Sequence, residues 1–156
     1  LCYALRQKAM PMPRSLVLIC PWLDVSMTNP LIAMTEKDDP MLATIGTRAA
    51  GRLYAGDLDL QHCYVSPLYG DPRDLPPILL FAGTNDIAHH DALLFAEKAR
   101  AAGCSVDLQI GQGMIHVWPI LPIPEGKEAR KKIARHLLSG VCGPSMDTLS
   151  SSSKDP

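Results

Sequence analysis

Pro-Ile-Leu-Leu-Phe-Ala-Gly-Thr-Asn-Asp-Ile-Ala-His-His-Asp, residues 77–91, decides how the rest of the chain is read. A short apolar run stops at Gly83 and an acid, Asp86, follows almost at once. In an α/β protein a buried parallel strand ends this way, and ligands and reactive groups gather at the carboxyl ends of such strands. A second run, Val106 to Ile110, breaks into Gly-Gln-Gly-Met-Ile-His-Val-Trp and puts His116 on a comparable loop. An imidazole acting as general base needs a carboxylate to fix its tautomer and stabilise the imidazolium that forms. Asp86 and His116 are therefore candidate members of one site. Each alone has a plainer reading, Asp86 as a turn residue beside Asn85 and His116 as a core histidine between Ile115 and Val117.

Working outward, Leu1 to Met10 has good helix composition and ends at Pro11 and Pro13. Leu16 to Cys20 is a continuous apolar run between prolines, the pattern of a strand buried on both faces. Met41 to Tyr54 spaces Leu42, Ile45, Ala49, Ala50, Leu53 and Tyr54 at helical intervals, predicting an amphipathic helix that ends near Gly56. The proline-rich stretch 57–77 predicts a long surface loop. Strands are expected over Ile78–Ala82 and Val106–Ile110. Between them a helix over Ala92–Ala102 is expected, with Asp91 as N-cap and Leu93, Ala96, Ala99 and Arg100 on one face. A last helix over Glu125–Leu138 should turn Ile133, Leu137 and Ala129 or Ala134 inward. Strand, helix, strand, helix is the order of an α/β fold with a parallel sheet and flanking helices. Residues 1–138 thus read as one domain part, and 139–156, rich in Ser, Gly, Pro and Asp, as a disordered tail.

Composition excludes several functions. At 156 residues and 47% hydrophobic, the chain can bury a core. A net charge of -1 gives no basic field for nucleic acid. The five cysteines have no Cys-x-x-Cys spacing and indicate neither a zinc site nor a disulfide framework, so they read as free thiols, with Cys20 and Cys104 as small core residues. No apolar run is long enough to span a bilayer. A cytoplasmic setting is expected, with a signal peptide ahead of Leu1 left open.

Taken in order, several motifs resemble the hormone-sensitive-lipase-like esterases and acetyl hydrolases of the α/β-hydrolase fold. They are Leu-Val-Leu-Ile-Cys-Pro-Trp-Leu-Asp (16–24), Val-Ser-Pro-Leu (65–68), Leu-Pro-Pro (75–77), Gly-Thr-Asn-Asp-Ile-Ala-His-His-Asp-Ala (83–92), Ala-Arg-Ala-Ala-Gly (99–103) and Gly-Met-Ile-His-Val-Trp (113–118). The resemblance implies the carboxyl-terminal half of that fold, with Asp86 as the acid and His116 as the histidine of a Ser-Asp-His triad. It also implies a small-molecule ester as substrate and no metal or organic cofactor. The chain departs from the family in lacking the Gly-x-Ser-x-Gly nucleophile elbow and the His-Gly-Gly-Gly oxyanion motif. Ser15, Ser26, Ser66, Ser105, Ser139 and Ser145 all lack the paired glycines. The expectation is a fragment whose nucleophile lies before Leu1, inert by itself. It would associate with other copies through an unpartnered edge at Leu16–Cys20. Ala88 is a smaller departure, since relatives carry a larger residue there.

Other classes stay open at this point, namely a non-catalytic binding module on the same fold and a serine peptidase or amidase. His89 and His90 suggest a metal, but adjacent side chains point apart and no further ligand has suitable spacing, so they read as surface residues. His62 with Cys63 reads as a loop pair, and Asp24 as a structural acid at a strand end. Trp22 and Trp118 either line a pocket or fill the core. Gly111-Gln-Gly113 lacks the companions of a phosphate loop.

Overall fold

The computed structural model describes residues 1–139; the expected tail over 140–156 lies outside them. Three strands, β1 (Leu16–Ile19), β2 (Ile78–Asn85) and β3 (Val106–Ile115), form a parallel sheet in the order β1-β2-β3. Five helices accompany them: α1 (Cys2–Gln7), α2 (Ile32–Thr35), α3 (Thr44–Ala55), α4 (His89–Ala101) and α5 (Pro124–Ser139).

The central strand explains the two-layered core. Side chains alternate along a strand, and β2 sends Ile78, Leu80 and Ala82 to one face and Leu79 and Phe81 to the other. On the first face they meet Ala92, Phe95, Ala96 and Ala99 of α4; on the second, Trp118 from the turn after β3 and Ala129 of α5. All five β2 residues are 0–1% exposed. Full burial of each large side chain contributes roughly 1.5–3 kcal/mol. Phe81 also stands edge-on to Trp118, with ring centroids 5.6 Å apart.

Several boundaries and faces differ from the sequence-based expectation. Both β2 and β3 run past their apolar segments through Gly, Thr, Asn and Gln, because pairing with the neighbour, rather than hydrophobicity, sustains the ladder there. Helix α4 starts at His89, with Ala88 as N-cap, so Asp91 does not cap it but lies buried in its first turn. There Asp91 accepts a hydrogen bond from Asn29 Nδ2 at 2.8 Å, and burial raises its pKa despite that donor. The packed face of α4 is Ala92, Phe95, Ala96 and Ala99; Leu93 is only half-buried and Arg100 is exposed. In α5, Ala129 is buried and Ile133 half-buried, while Ala134 and Leu137 face solvent.

Helix α3 is the largest departure. Its buried residues are the small Gly51 and Ala55, while Ile45 and Leu53 are 84% and 85% exposed and Tyr54 is exposed as well. The helix touches the body through its small residues and leaves its larger apolar side chains in water. The segment 57–77 is less superficial than expected, since it buries Val65, Ser66 and Leu68. Ser66 Oγ accepts the Val25 N–H and donates to the Leu60 carbonyl, a structural role.

Strand β1 pairs only with β2 among the described residues, and all four of its residues are half-buried rather than enclosed on both faces. Its free edge and the apolar side of α3 are both surfaces that water covers poorly. The chain by itself is expected to self-associate in sedimentation velocity at micromolar concentration; a monodisperse monomer would refute this.

Candidate active site

Beyond Gly83↔Gly111 the pairing of β2 with β3 slips, and Asn85 meets Ile115. Between these pairs β2 advances by two residues and β3 by four, so β3 bulges. Two glycines permit this. A Cβ on Gly83 would lie 2.3 Å from the Met114 carbonyl oxygen, so only glycine lets the bulge fold over β2. Gly113 has a φ of +67°, and its N–H donates to Thr84 Oγ1 at 2.8 Å, tying the bulge to β2. The bulge delivers His116 beside the residue that follows β2, Asp86.

There His116 Nδ1 lies 3.0 Å from Asp86 Oδ2. The Asp86 side chain is 1% exposed and the His116 side chain 21%. The other carboxylate oxygen of Asp86, Oδ1, accepts the Ala88 N–H at 2.9 Å, and the Asp86 carbonyl accepts the His89 N–H at 2.9 Å. These bonds make the turn that launches α4 and leave the carboxylate aimed at the imidazole. The hydrogen bond from His116 to Asp86 raises the histidine pKa above its ordinary value; burial opposes this, and the charges of Asp86 and Asp39 add to it. With Nδ1 engaged, Nε2 is the ring nitrogen that can exchange a proton with a reacting group.

The turn after His116 is strained. Val117, a β-branched residue, has a φ of +52°, and Cys20, just past β1, a φ of +45°. Such conformations cost about 1–3 kcal/mol each and persist where the surroundings over-determine them.

An apolar cavity of about 410 Å³ adjoins the pair, lined by Trp22, Met27, Leu42, Ile87 and His116 among others. Trp22 donates its indole N–H to the Asp24 carbonyl at 2.9 Å, which fixes this wall. Trp118 instead fills the core under β2. Asp24 is buried and structural, bonded to the N–H and hydroxyl groups of Ser26 and Thr28 and to the Tyr69 hydroxyl. Burial works against its ionisation, but the bonds from Ser26 and Thr28 outweigh it and hold its pKa below the usual value.

The remaining candidates have other places in the fold. His89 is buried at the start of α4, where desolvation lowers its pKa, and it belongs to no metal-capable cluster among the described residues; neither does His90. Among the described residues, the one cluster of three such residues is Cys20, Asp86 and His116, with donor atoms within 4.8 Å of one another. The Nδ1 to Oδ2 hydrogen bond already joins two of its members. His62 accepts the Tyr64 N–H through Nδ1 in its loop. Gly111 and Gly113 belong to the bulge.

Sequence reasoning missed two contributors. Asp39 precedes Pro40 and accepts the Met41 and Leu42 N–H groups, and its Oδ2 also accepts the Ile87 N–H at 2.9 Å. That second bond pins the loop carrying Asp86 across 48 positions, and no local signal announces it. Cys20 reads as core, which it is, yet it also lies against the pair.

The profile of the alpha/beta hydrolase fold family matches residues 1–120. The chain belongs to that family. It is 32% identical over 130 residues to an acetyl-hydrolase of Streptomyces hygroscopicus, covering 81% of this chain and 43% of that protein. It is 33% identical over 145 residues to an esterase of Acinetobacter venetianus, covering 89% and 48%. A crystal structure of EstE5 superposes with a TM-score of 0.83 at 32% identity, over 88% of this chain and 47% of that one. A hormone-sensitive lipase from a metagenome library gives the same TM-score at 26% identity, over 88% and 48%. The chain thus spans about half the length of the relatives it matches. The α/β-hydrolase fold and the esterase and lipase kinship expected from the motifs both stand. No helix among the described residues is long and apolar enough to cross a membrane.

Replacing Gly83 by alanine is expected to push the bulge off β2. Overpacking of this kind costs about 1–3 kcal/mol. The hydrogen-bonded Nδ1 proton of His116 should vanish from the proton NMR spectrum while the chain stays folded by circular dichroism.

Proposed function

We propose that this chain supplies the acid and the base of a serine carboxylic-ester hydrolase, Asp86 orienting His116. The observation that carries the reading is the 3.0 Å contact between His116 Nδ1 and a buried carboxylate, at the edge of an apolar cavity. In support, the relatives named above carry the names acetyl-hydrolase, esterase and hormone-sensitive lipase.

The chemistry follows from the geometry. His116, neutral and with its Nδ1 proton held by Asp86, uses Nε2 to take the proton of a serine hydroxyl as that oxygen attacks the ester carbonyl. The imidazolium is stabilised by the adjacent carboxylate, then returns the proton to the departing alkoxide as the acyl-enzyme forms. A water molecule repeats the cycle and releases the acid. The cavity beside Trp22 and Met27 suits an apolar acyl or alcohol group of modest size.

In this reading the serine and the oxyanion donors are not among these 156 residues, in which no serine carries the glycine pair of an elbow. Each oxyanion donor would supply roughly 3–4 kcal/mol. The 156 residues by themselves are therefore expected to leave p-nitrophenyl acetate unhydrolysed beyond background.

Where the nucleophile is present, His116→Ala should abolish hydrolysis of p-nitrophenyl acetate, and a surviving rate would sink the assignment. Peptide anilides should not be cleaved. Asp86→Asn should lower kcat by about 10⁴-fold.

The pH dependence has a definite sign. His116 must be neutral to act, and Asp86 holds its pKa above the ordinary histidine value. The acid limb of kcat/KM should therefore lie above that of an unperturbed imidazole, and Asp86→Asn should move it to lower pH.

A further inference from the structure

The carboxylate of Asp86 offers about four lone-pair positions. Two are accounted for, by the Ala88 N–H on Oδ1 and His116 Nδ1 on Oδ2. A buried carboxylate with acceptor capacity left over draws in any donor beside it. The group beside it is the thiol of Cys20, 3% exposed, whose sulfur belongs to the cluster with Asp86 and His116 in which all donor atoms lie within 4.8 Å of one another.

The backbone is arranged to put it there. Pairing of β1 with β2 ends at Ile19↔Phe81, and the Cys20 N–H adds one more bond, to the Phe81 carbonyl at 2.9 Å. The chain then turns through a left-handed conformation at Cys20, the region a non-glycine residue occupies only under constraint. Cys20 thus closes β1 at the end of the sheet where Asp86 follows β2.

We propose that Cys20 is a positioning residue, donating its S–H to the Asp86 carboxylate and thereby setting how strongly that carboxylate holds His116. The proposal rests on the reading of Asp86 and His116 as orienter and base. Burial, and then the charge of Asp86, push the Cys20 thiol up to about 12, so it remains a neutral donor across the working range of the pair. A thiol is a weak donor. It satisfies the carboxylate without competing strongly with the imidazole, whereas a hydroxyl in the same place would draw more of the carboxylate's charge to itself. The other titratable groups facing the pair are Asp39, whose charge acts on His116, and His89, which burial favours in its neutral form and which feels the charge of Asp86.

The test is the titration of His116, followed by ring NMR in the 156-residue chain and in near-isosteric variants. Cys20→Ser should lower the His116 midpoint, and Cys20→Ala should raise it, each by about 0.5 pH unit. Opposite signs are the signature, because a merely structural role would loosen the site in both variants and move them together. Coincident titrations, or shifts of the same sign, overturn the proposal. Without touching Cys20, the infrared S–H stretching region gives a second measurement: one thiol band should move to higher frequency on Asp86→Asn, and an unchanged S–H region counts against the bond. The control separates the two levels of inference. If Asp86→Asn leaves the His116 midpoint where it was, the orienter-and-base reading itself fails. If Asp86→Asn lowers it while both Cys20 variants leave it unmoved, only the role of Cys20 fails.

Discussion

A buried carboxylate needs hydrogen-bond donors, and the arrangement at the end of the sheet is a response to that need. Asp86 is nearly inaccessible to water, so its charge is tolerable only because an N–H from the following turn and an imidazole nitrogen are brought to it. The first donor comes free with the start of α4. The second has to be carried in from β3, and it arrives only because the ladder between β2 and β3 loses its one-to-one register after Gly83. The bulge, the absence of a side chain at Gly83 and the strained backbone at Val117 are thus parts of one solution, in which local irregularity places two polar groups at bonding distance.

Around this pair the protein separates rigidity from access. Asp39 ties the backbone at Ile87, Thr84 ties the bulge, and the sheet below is sealed by Leu79, Phe81 and Trp118. The histidine is less enclosed than its partner, and the apolar cavity opens next to it. A carboxylate sequestered behind an imidazole that still reaches the surroundings is the polarity that the proposed relay requires, since the charge is confined to the side away from solvent.

Much of this was legible in the sequence where the signal was local. The apolar run of β2 followed by an acid, and the run of β3 followed by a histidine, place Asp86 and His116 at comparable strand ends. The pairing that makes them neighbours was not legible, because it depends on strands that continue through Gly, Thr and Gln, residues with no hydrophobic pattern to follow. Asp91 resembled a cap for the same reason: the turn that starts α4 is made by Asp86, and a side chain already committed to one role gives no outward sign of a second. Helix α3 departs in the opposite direction. Periodicity assigns the larger apolar residues to the core, but contact with the body runs through Gly51 and Ala55, and nothing in the spacing tells a stripe that is buried from one that is merely apolar. Asp39 and Cys20 were hidden because their partners are distant in sequence.

The two tryptophans end up on opposite sides of this division of labour. Trp22 forms a wall of the cavity with its indole N–H fixed, whereas Trp118 is sealed beneath the sheet against Phe81. The molecule consequently carries two tryptophan fluorophores with separate meanings: the emission of one reports what enters the cavity, and the emission of the other reports whether the sheet and α5 are still docked.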